Sequence, residues 1–220
     1  MDRFKMDYFI AMIPKVIKLL PATVKAALLS LLLSLLLGLV LAVVRQYKIK
    51  GLYALSSIYV SFFRGTPFIA QLFYYGLATI STTIKDMSAF RALVICLSAN
   101  YCAFMSEDIR AALNSVSKDQ YEAGLSIGMK PLAVITKIII PQATRIAIPG
   151  LSNNFINLFK STSIGFMIGF KDMMAVVSME TSRTYRFLEG YLVATVIYWA
   201  IISVLNVIQS HLEKKINRIY

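Results

Sequence analysis

Apolar stretches about the length of a bilayer-crossing helix recur along this chain, divided by short polar or basic segments. Five are expected as spans: Ala22–Val44, Leu52–Ile80, Ser88–Leu113, Arg145–Phe170 and Leu188–Leu212. Lys25, near the start of the first, is placed to snorkel to the interface. The second is long and interrupted near its middle by Arg64-Gly65-Thr66-Pro67. Residues 114–144 form the main interspan loop. Its apolar piece Leu132–Ile140 is too short to cross, carries Lys137 and ends at Pro141, so it is expected as an interfacial lead-in to the fourth span. Ahead of the first span, Phe4, Tyr8, Phe9, Met12 and Ile13 oppose Lys5, Lys15 and Lys18, the pattern of an amphipathic interfacial helix. No compact apolar core ending in small residues marks a cleavable leader. The pattern predicts one all-α integral membrane domain over residues 1–220, with about five transmembrane helices. No repeat or linker divides it, and an odd number of spans does not split into two matched halves.

Composition supports the membrane reading. Hydrophobic residues make up 58% and charged residues 15%, with a mean hydropathy of +0.68, which a soluble domain seldom shows. The net charge of +12 then reflects basic residues anchoring span ends against lipid, not nucleic-acid binding. Arg45, Lys48 and Lys50 follow the first span, and Lys214, Lys215 and Arg218 follow the fifth. Five spans put both groups on one side, so the C-terminus and the 114–144 loop are expected in the cytosol and the N-terminus outside. Cys96 and Cys102, six residues apart on one helix, do not share a face and are read as small packing residues rather than a disulfide. The lone His211 offers no metal site, and no paired carboxylates at depth suggest enzyme chemistry.

Polar groups at membrane depth are costly and by default functional. Arg64 sits at the interruption of span two, where freed backbone groups must be buried in protein or line a cavity. Its guanidinium suits a ligand's carboxylate; the competing reading is a kink with Arg64 paired to Glu107 or Asp108. Asn100, Glu107, Arg110 and Asn114 share one helical face. Glu107 either meets a substrate ammonium or pairs with Arg110 one turn on. Asn153, Asn157, Lys160 and Ser161, with Thr162 and Ser163 beside them, either line a path or join helices. Gly165 and Gly169 have small-xxx-small spacing. Gln71, Tyr74 and Tyr75 either line the path or pack. The candidate pathway residues are Arg64, Thr66, Gln71, Asn100, Glu107, Asn157, Lys160 and Thr162.

The 114–144 loop carries Glu122-Ala123-Gly124-Leu125-Ser126-Ile127-Gly128-Met129. Apolar side chains interleave with glycines and Pro131, and Gly128 permits a sharp turn between two short helices. Glu122 is expected near a helix start, where a carboxylate favours the dipole. An apolar elbow in water calls for a protein that covers it, unless it lies on the membrane surface.

Glu122, Ala123, Gly128, Ile138 and Pro141 resemble the loop motif of permease subunits in ABC importers. Gly124 stands where the motif usually has a second Ala, and Ile140 where it has Leu; a glycine there loosens a helix by up to about 1 kcal/mol. Arg64-Gly65-Thr66-Pro67 with Gln71-Leu72-Phe73, Glu107 and Arg110 with Ser115-Val116, Asn153-Asn154-Phe155-Ile156 with Lys160-Ser161-Thr162-Ser163-Ile164, and Glu189 with Tyr191 are similar to the polar amino-acid branch. Phe104 departs from its more frequent Tyr. The resemblance implies a coupling helix at about 119–131, with Glu122, Ala123, Gly124, Leu125, Gly128, Met129 and Pro141 contacting ATPase. It also implies two cytoplasmic ABC ATPase subunits holding ATP and Mg, a second permease copy or paralogue, an external or periplasmic binding protein, an amino-acid substrate and a bacterial cytoplasmic membrane. This chain has no Gly-rich phosphate loop ending in Lys-Ser/Thr, so ATP hydrolysis is expected on a partner. The alternative is a non-transporting anchor that docks a soluble protein through the same loop.

Overall fold

A computed structural model describes residues 4–77 and 87–217, except the side chains of residues 75–77 and 217. Ala78–Ile80 at the end of the second expected span, the Tyr75 side chain and Arg218 lie outside the described residues. The described chain is helical: α1 (Met6–Ile17), α2 (Leu20–Gln46), α3 (Leu52–Gly65), α4 (Phe68–Gln71), α5 (Ala89–Ser115), α6 (Lys118–Ser126), α7 (Pro131–Val134), α8 (Ile140–Ser161), α9 (Met173–Thr184) and α10 (Phe187–Asn217). Leu20–Gln46, Ala89–Ser115, Pro131–Ile168 and Phe187–Ile216 are each long and apolar enough to cross a membrane. The second expected span is instead α3, the break at Thr66-Pro67, then α4 and a π turn over Leu72–Leu77.

The bundle is built around α2 and α5. Small residues four apart on α2 (Ser30, Ser34, Gly38, Ala42) are buried, while Leu29, Leu32, Leu33, Leu36 and Leu37 face outward. A Cβ on Gly38 would meet the Cys102 carbonyl at 3.2 Å and Met105 Cβ at 3.3 Å. Small residues let helix backbones approach closely where lipid supplies no hydrophobic drive to associate. Ser30 faces Val94 and Ser98, and Gln46 reaches Asn114 at 2.8 Å, so α2 and α5 run parallel. Helix α8 returns antiparallel to α5, with Tyr101 bonded to Ser161 and Asn154 to Asp108. Cys96 and Cys102 are buried as free thiols in this packing.

Three sequence expectations change. The helix that carries the fourth expected span does not start at Arg145. Helix is continuous from Pro131 to Ile168, and Leu132–Ile140 is its first part. Pro141 has no N–H to give, and the helix accommodates it at the first turn of α8, just after a π turn over Ile135–Ile139. The amphipathic N-terminal segment does form a helix, but its apolar face is covered by protein. Met12 and Val16 are buried, and α1 packs on α9 and α10. On its other side Lys15 pairs with Glu180 at 2.8 Å, which holds the Glu180 carboxyl below its ordinary range. Finally, α9 was not expected: it is too short and polar to read as a span, and its start is marked by Asp172, which accepts from Ala175 N at 2.8 Å.

Asp172 is fully buried, outside the candidate spans, and burial pushes its carboxyl up to about 6 from 3.8. The folded chain therefore holds this proton more tightly than the unfolded chain. The resulting stabilisation, up to about 3 kcal/mol, is complete below pH 3.8 and lost as pH rises through 6. Asp172→Asn keeps a cap acceptor without a charge. Its melting temperature, measured from pH 4 to 7, should lack the fall that the wild type shows across pH 4–6.

Candidate functional site

Two features stand out, a polar cleft at membrane depth and an exposed elbow at one end of the bundle. The cleft begins with the broken helix. An α-helix would bond the Phe63 carbonyl to the N–H of residue 67, but residue 67 is proline. The Gln71 amide donates to Phe63 O at 3.1 Å and to Thr66 O at 3.2 Å. Asn100, from α5, also donates to Phe63 O at 3.2 Å and to Gln71 Oε1 at 2.8 Å. The Thr66 hydroxyl donates to Phe62 O at 2.9 Å and accepts from Gln71 at 2.7 Å. The carbonyls of Phe62, Phe63 and Thr66 at the break thus accept from side chains, which suits a break at membrane depth. This network fixes the break in place beside α5.

Above it opens a cleft of about 560 Å³ lined by Thr66, Phe68, Asn100, Tyr101, Phe104, Asn154, Asn157, Lys160, Ser161 and Ile164. Four of the eight candidate pathway residues line it: Thr66, Asn100, Asn157 and Lys160. The other four do not. Gln71 is buried behind Asn100 and positions it. Thr162 is fully buried and bonds back to Phe159 O at 2.7 Å. Arg64 and Glu107 belong to an ion cluster. Asn153 also turns away, within 3.3 Å of Gln209 on α10, and the Tyr74 side chain is exposed away from the packed interior. The sequence reading gave no pathway role to Tyr101 or Asn154. The signal for Asn154 was its spacing with Asn157 and Ser161, three and seven residues on, which puts all three on one face of α8.

In the ion cluster Glu107 and Arg64 are paired. Glu107 contacts Arg45 from the end of α2, Arg110 at 3.2 Å and Arg64 at 3.8 Å. Arg64 is 45% exposed and its guanidinium lies 5.7 Å from the Phe104 ring centre, on the cleft wall. One carboxylate therefore ties three helices together. Glu107→Gln leaves three guanidiniums around a neutral group; breaking a buried pair on one side costs about 3–5 kcal/mol, less here because the cluster is only part-buried. The purified variant should melt well below the wild type. Arg64→Ala, removing the longest and most exposed contact, should spare stability and weaken uptake more than assembly. Equal melting of Glu107→Gln and wild type would contradict the cluster's structural role.

The elbow is α6, the turn at Gly128, and α7. Ser117 caps α6 by accepting from Asp119 N at 3.2 Å. Asp119, not Glu122, is the acid in the first turn, and Glu122 lies in the second turn, exposed. Gly128 has φ +83°, the left-handed conformation that a side chain disfavours, and turns the chain between α6 and α7. Gly124 is buried against the helix that follows. A Cβ there would sit 2.8 and 3.0 Å from the Val134 methyls and 3.4 Å from Ile138 Cδ1. The glycine that loosens the helix is thus what lets α6 fold back onto α7 and the π turn that precedes α8. The outer side carries Leu125, Ile127 and Leu132, the last two 78% and 71% exposed. Ala123 is exposed, Met129 half-buried, and Pro141 lies exposed on the adjoining helix face. The elbow is joined through residues 116–117 to α5 and through the π turn to α8, the helices that carry most of the cleft.

Comparison with known proteins agrees with this architecture. Residues 9–218 match the family described as binding-protein-dependent transport system inner membrane component. The chain belongs to this family. The transport component is 41% identical over 219 residues to a probable amino-acid ABC transporter permease protein PatM of Vibrio harveyi, covering 99% of this chain and 98% of that one. It is 36% identical over 199 residues to the L-cystine transport system permease protein TcyB of Bacillus subtilis, covering 89% and 84%. Among solved structures it superposes with TM-score 0.89 on a crystal structure of an amino acid ABC transporter with histidines, at 30% identity, covering 97% of this chain and all of that one.

Proposed function

We propose that this transport component is the permease subunit of an amino-acid ABC importer in a bacterial cytoplasmic membrane. The observation that carries the reading is that the same two helices, α5 and α8, run from an exposed apolar elbow to a polar cleft. A docking anchor needs the elbow, but it has no use for a 560 Å³ cleft lined by amides, hydroxyls and one ammonium. Two permease chains, copies or paralogues, form the pathway. Each offers residues 119–131 to one of two cytoplasmic ATPases, which hold ATP and Mg. Glu122, Ala123, Leu125, Gly128, Met129 and Pro141 make or shape that contact, with Gly124 setting its pose. Closure of the ATPases moves the elbows and rocks α5 and α8, so the cleft is exposed alternately to the two sides. An external or periplasmic binding protein delivers the amino acid. Arg45, Lys48, Lys50, Lys214 and Lys215 lie at the elbow end of the bundle, which supports a cytosolic elbow and C-terminus.

The test is reconstitution with the ATPases and binding protein in vesicles. ATP should drive accumulation of at least one amino acid, and a cysteine at Ile127 should be labelled only from the side that holds ATP. Labelling from the opposite side, or no ATP-dependent accumulation across the twenty amino acids, would sink the proposal.

A further inference from the structure

Among the described residues that line the cleft, Lys160 is the charged one and none is an acid. Glu107 is committed to the arginines of the ion cluster. A substrate ammonium in the cleft must therefore be met by a neutral acceptor. An asparagine shows a cavity either its oxygen or its NH2, and what lies behind it decides which. Behind Asn154 lies Asp108. Asn154 Nδ2 donates to Asp108 Oδ2 at 2.6 Å, the short distance expected when the acceptor is ionised. A carboxylate has no proton to give, so the opposite orientation would set two acceptors against each other. The NH2 is held behind, and Oδ1 is the amide atom left to the cleft that Asn154 lines. Asp108 is itself wedged against α8. A Cβ on Gly150, one turn before Asn154, would come within 2.7 Å of Asp108 Oδ2, so the missing side chain at 150 makes room for the acid. Asn157, on the same face, has no such partner among the described residues and is not held in either orientation. Asn100 has its NH2 committed to Phe63 O and Gln71 Oε1, but it is only 4% exposed and offers a ligand little surface.

We propose that Asn154 Oδ1 accepts from the ammonium of the transported amino acid, and that Asp108 is the positioning residue that aims it. This rests on the reading of the chain as an amino-acid permease. Asp108 does not touch the substrate. It fixes the amide oxygen towards the cleft and, by accepting from the amide N–H, makes that oxygen a stronger acceptor. Its negative charge just behind the amide also favours a cation in front. Lys160 lies six residues along α8 from Asn154, about 9 Å of helix rise, and a long helical side chain leans back towards the helix N-terminus, where Asn154 lies. An amino acid lying along α8 thus meets Lys160 with its carboxylate and Asn154 with its ammonium, each through a hydrogen bond of about 3 Å. A 2-hydroxy acid keeps the first contact and loses the second.

The experiment measures equilibrium binding to the purified permease–ATPase complex in detergent, without the binding protein, so that the cleft alone is read. Each of the twenty L-amino acids is the tritiated probe in turn, and the 2-hydroxy acid matching the tightest one is the competitor. The wild type should prefer the amino acid by about 10- to 150-fold, the range expected for a hydrogen bond to a charged group. Asn154→Leu should remove most of that preference by weakening the amino acid while the hydroxy acid binds as before. Asp108→Asn still bonds residue 154, but in either direction, so amino-acid binding should fall at least about twofold. Exchanging the pair, Asp108→Asn with Asn154→Asp, restores a bond of one direction and turns a carboxylate oxygen to the cleft. Binding should return to wild-type strength or exceed it. A role confined to joining α5 and α8 predicts instead that both ligands weaken together. If Asn154→Leu fails to assemble, Asp108→Asn and the exchange, both close in volume to the native side chains, decide the matter. Unchanged preference in Asn154→Leu would overturn the proposal. So would equal weakening of the two ligands, or an exchange variant that binds no better than Asp108→Asn. A wild-type complex that binds none of the twenty, yet accumulates one under ATP, would overturn this inference and leave the functional reading standing. Absence of any ATP-driven accumulation would overturn both.

Discussion

Gly124→Leu will abolish ATP-driven uptake while leaving the membrane bundle folded. The reason is geometric. Even a single added methyl at this position would lie 2.8 Å from a Val134 methyl, and α6 has nowhere to retreat without lifting its apolar tip off the pose that α7 and Gly128 impose. Overpacking of this kind costs about 1–3 kcal/mol. That is a shift of roughly 5- to 150-fold in the population of the packed elbow. A helix of nine residues has little stability of its own to resist the displacement. The core formed by α2, α5 and α8 is remote from the clash, so melting of the purified subunit should change little. Gly124→Ala should give a partial defect, and Val134→Ala should restore it by making room for the new methyl. Uptake and ATPase activity measured together distinguish uncoupling from loss of assembly. Full transport by Gly124→Leu would mean that the elbow's pose against α8 is irrelevant to coupling.

Lys160→Met should raise the half-saturating substrate concentration by about 10- to 150-fold, the range expected for losing a hydrogen bond of about 1.5–3 kcal/mol to a charged group. Lys160 is the charged residue among those lining the cleft, and no acid pairs with it among the described residues. Its neighbours Asn100, Asn157 and Ser161 are neutral. In the proposed pathway an amino acid entering the cleft meets the Lys160 ammonium with its carboxylate, while the Arg64 guanidinium at the wall is tied to Glu107. Lys160→Arg should recover part of the loss. The competing role, packing against a second permease chain, predicts something else: loss of the assembled complex with no change in half-saturation among the complexes that remain. Uptake kinetics set beside size-exclusion chromatography separate the two.

Much of this site was legible in the residues. The interruption at Arg64–Pro67 followed from the missing proline N–H, and Asn100 and Asn157 from their places on polar faces. Gly128 followed from the need for a turn with positive φ. The failures are as physical. Glu107 reads as a candidate ligand until Arg45, which lies 62 residues earlier, is seen beside it. Thr162 and Asn153 sit within or beside the same polar stripe as Lys160, yet one is buried in its own helix and the other faces α10. Ser30, Ser34, Gly38 and Ala42, small residues four apart, carried no expectation from the sequence. Their meaning depends on α5 lying against them. Gly124 looked like a mild helix defect and is a packing requirement.

Local physics therefore settled the membrane class, the helix break and the turn of the elbow, because each depends on length, periodicity or backbone chemistry within a few consecutive residues. Tertiary structure decided which polar groups face the cleft and which satisfy one another, that α1 is covered by protein, and that α7 and α8 are one continuous helix. The partnering of polar groups depends on contacts between residues 46 to 184 apart, such as Asp108 with Asn154 or Lys5 with Glu189. A polar side chain at membrane depth must find a partner, but the chain order does not say which one.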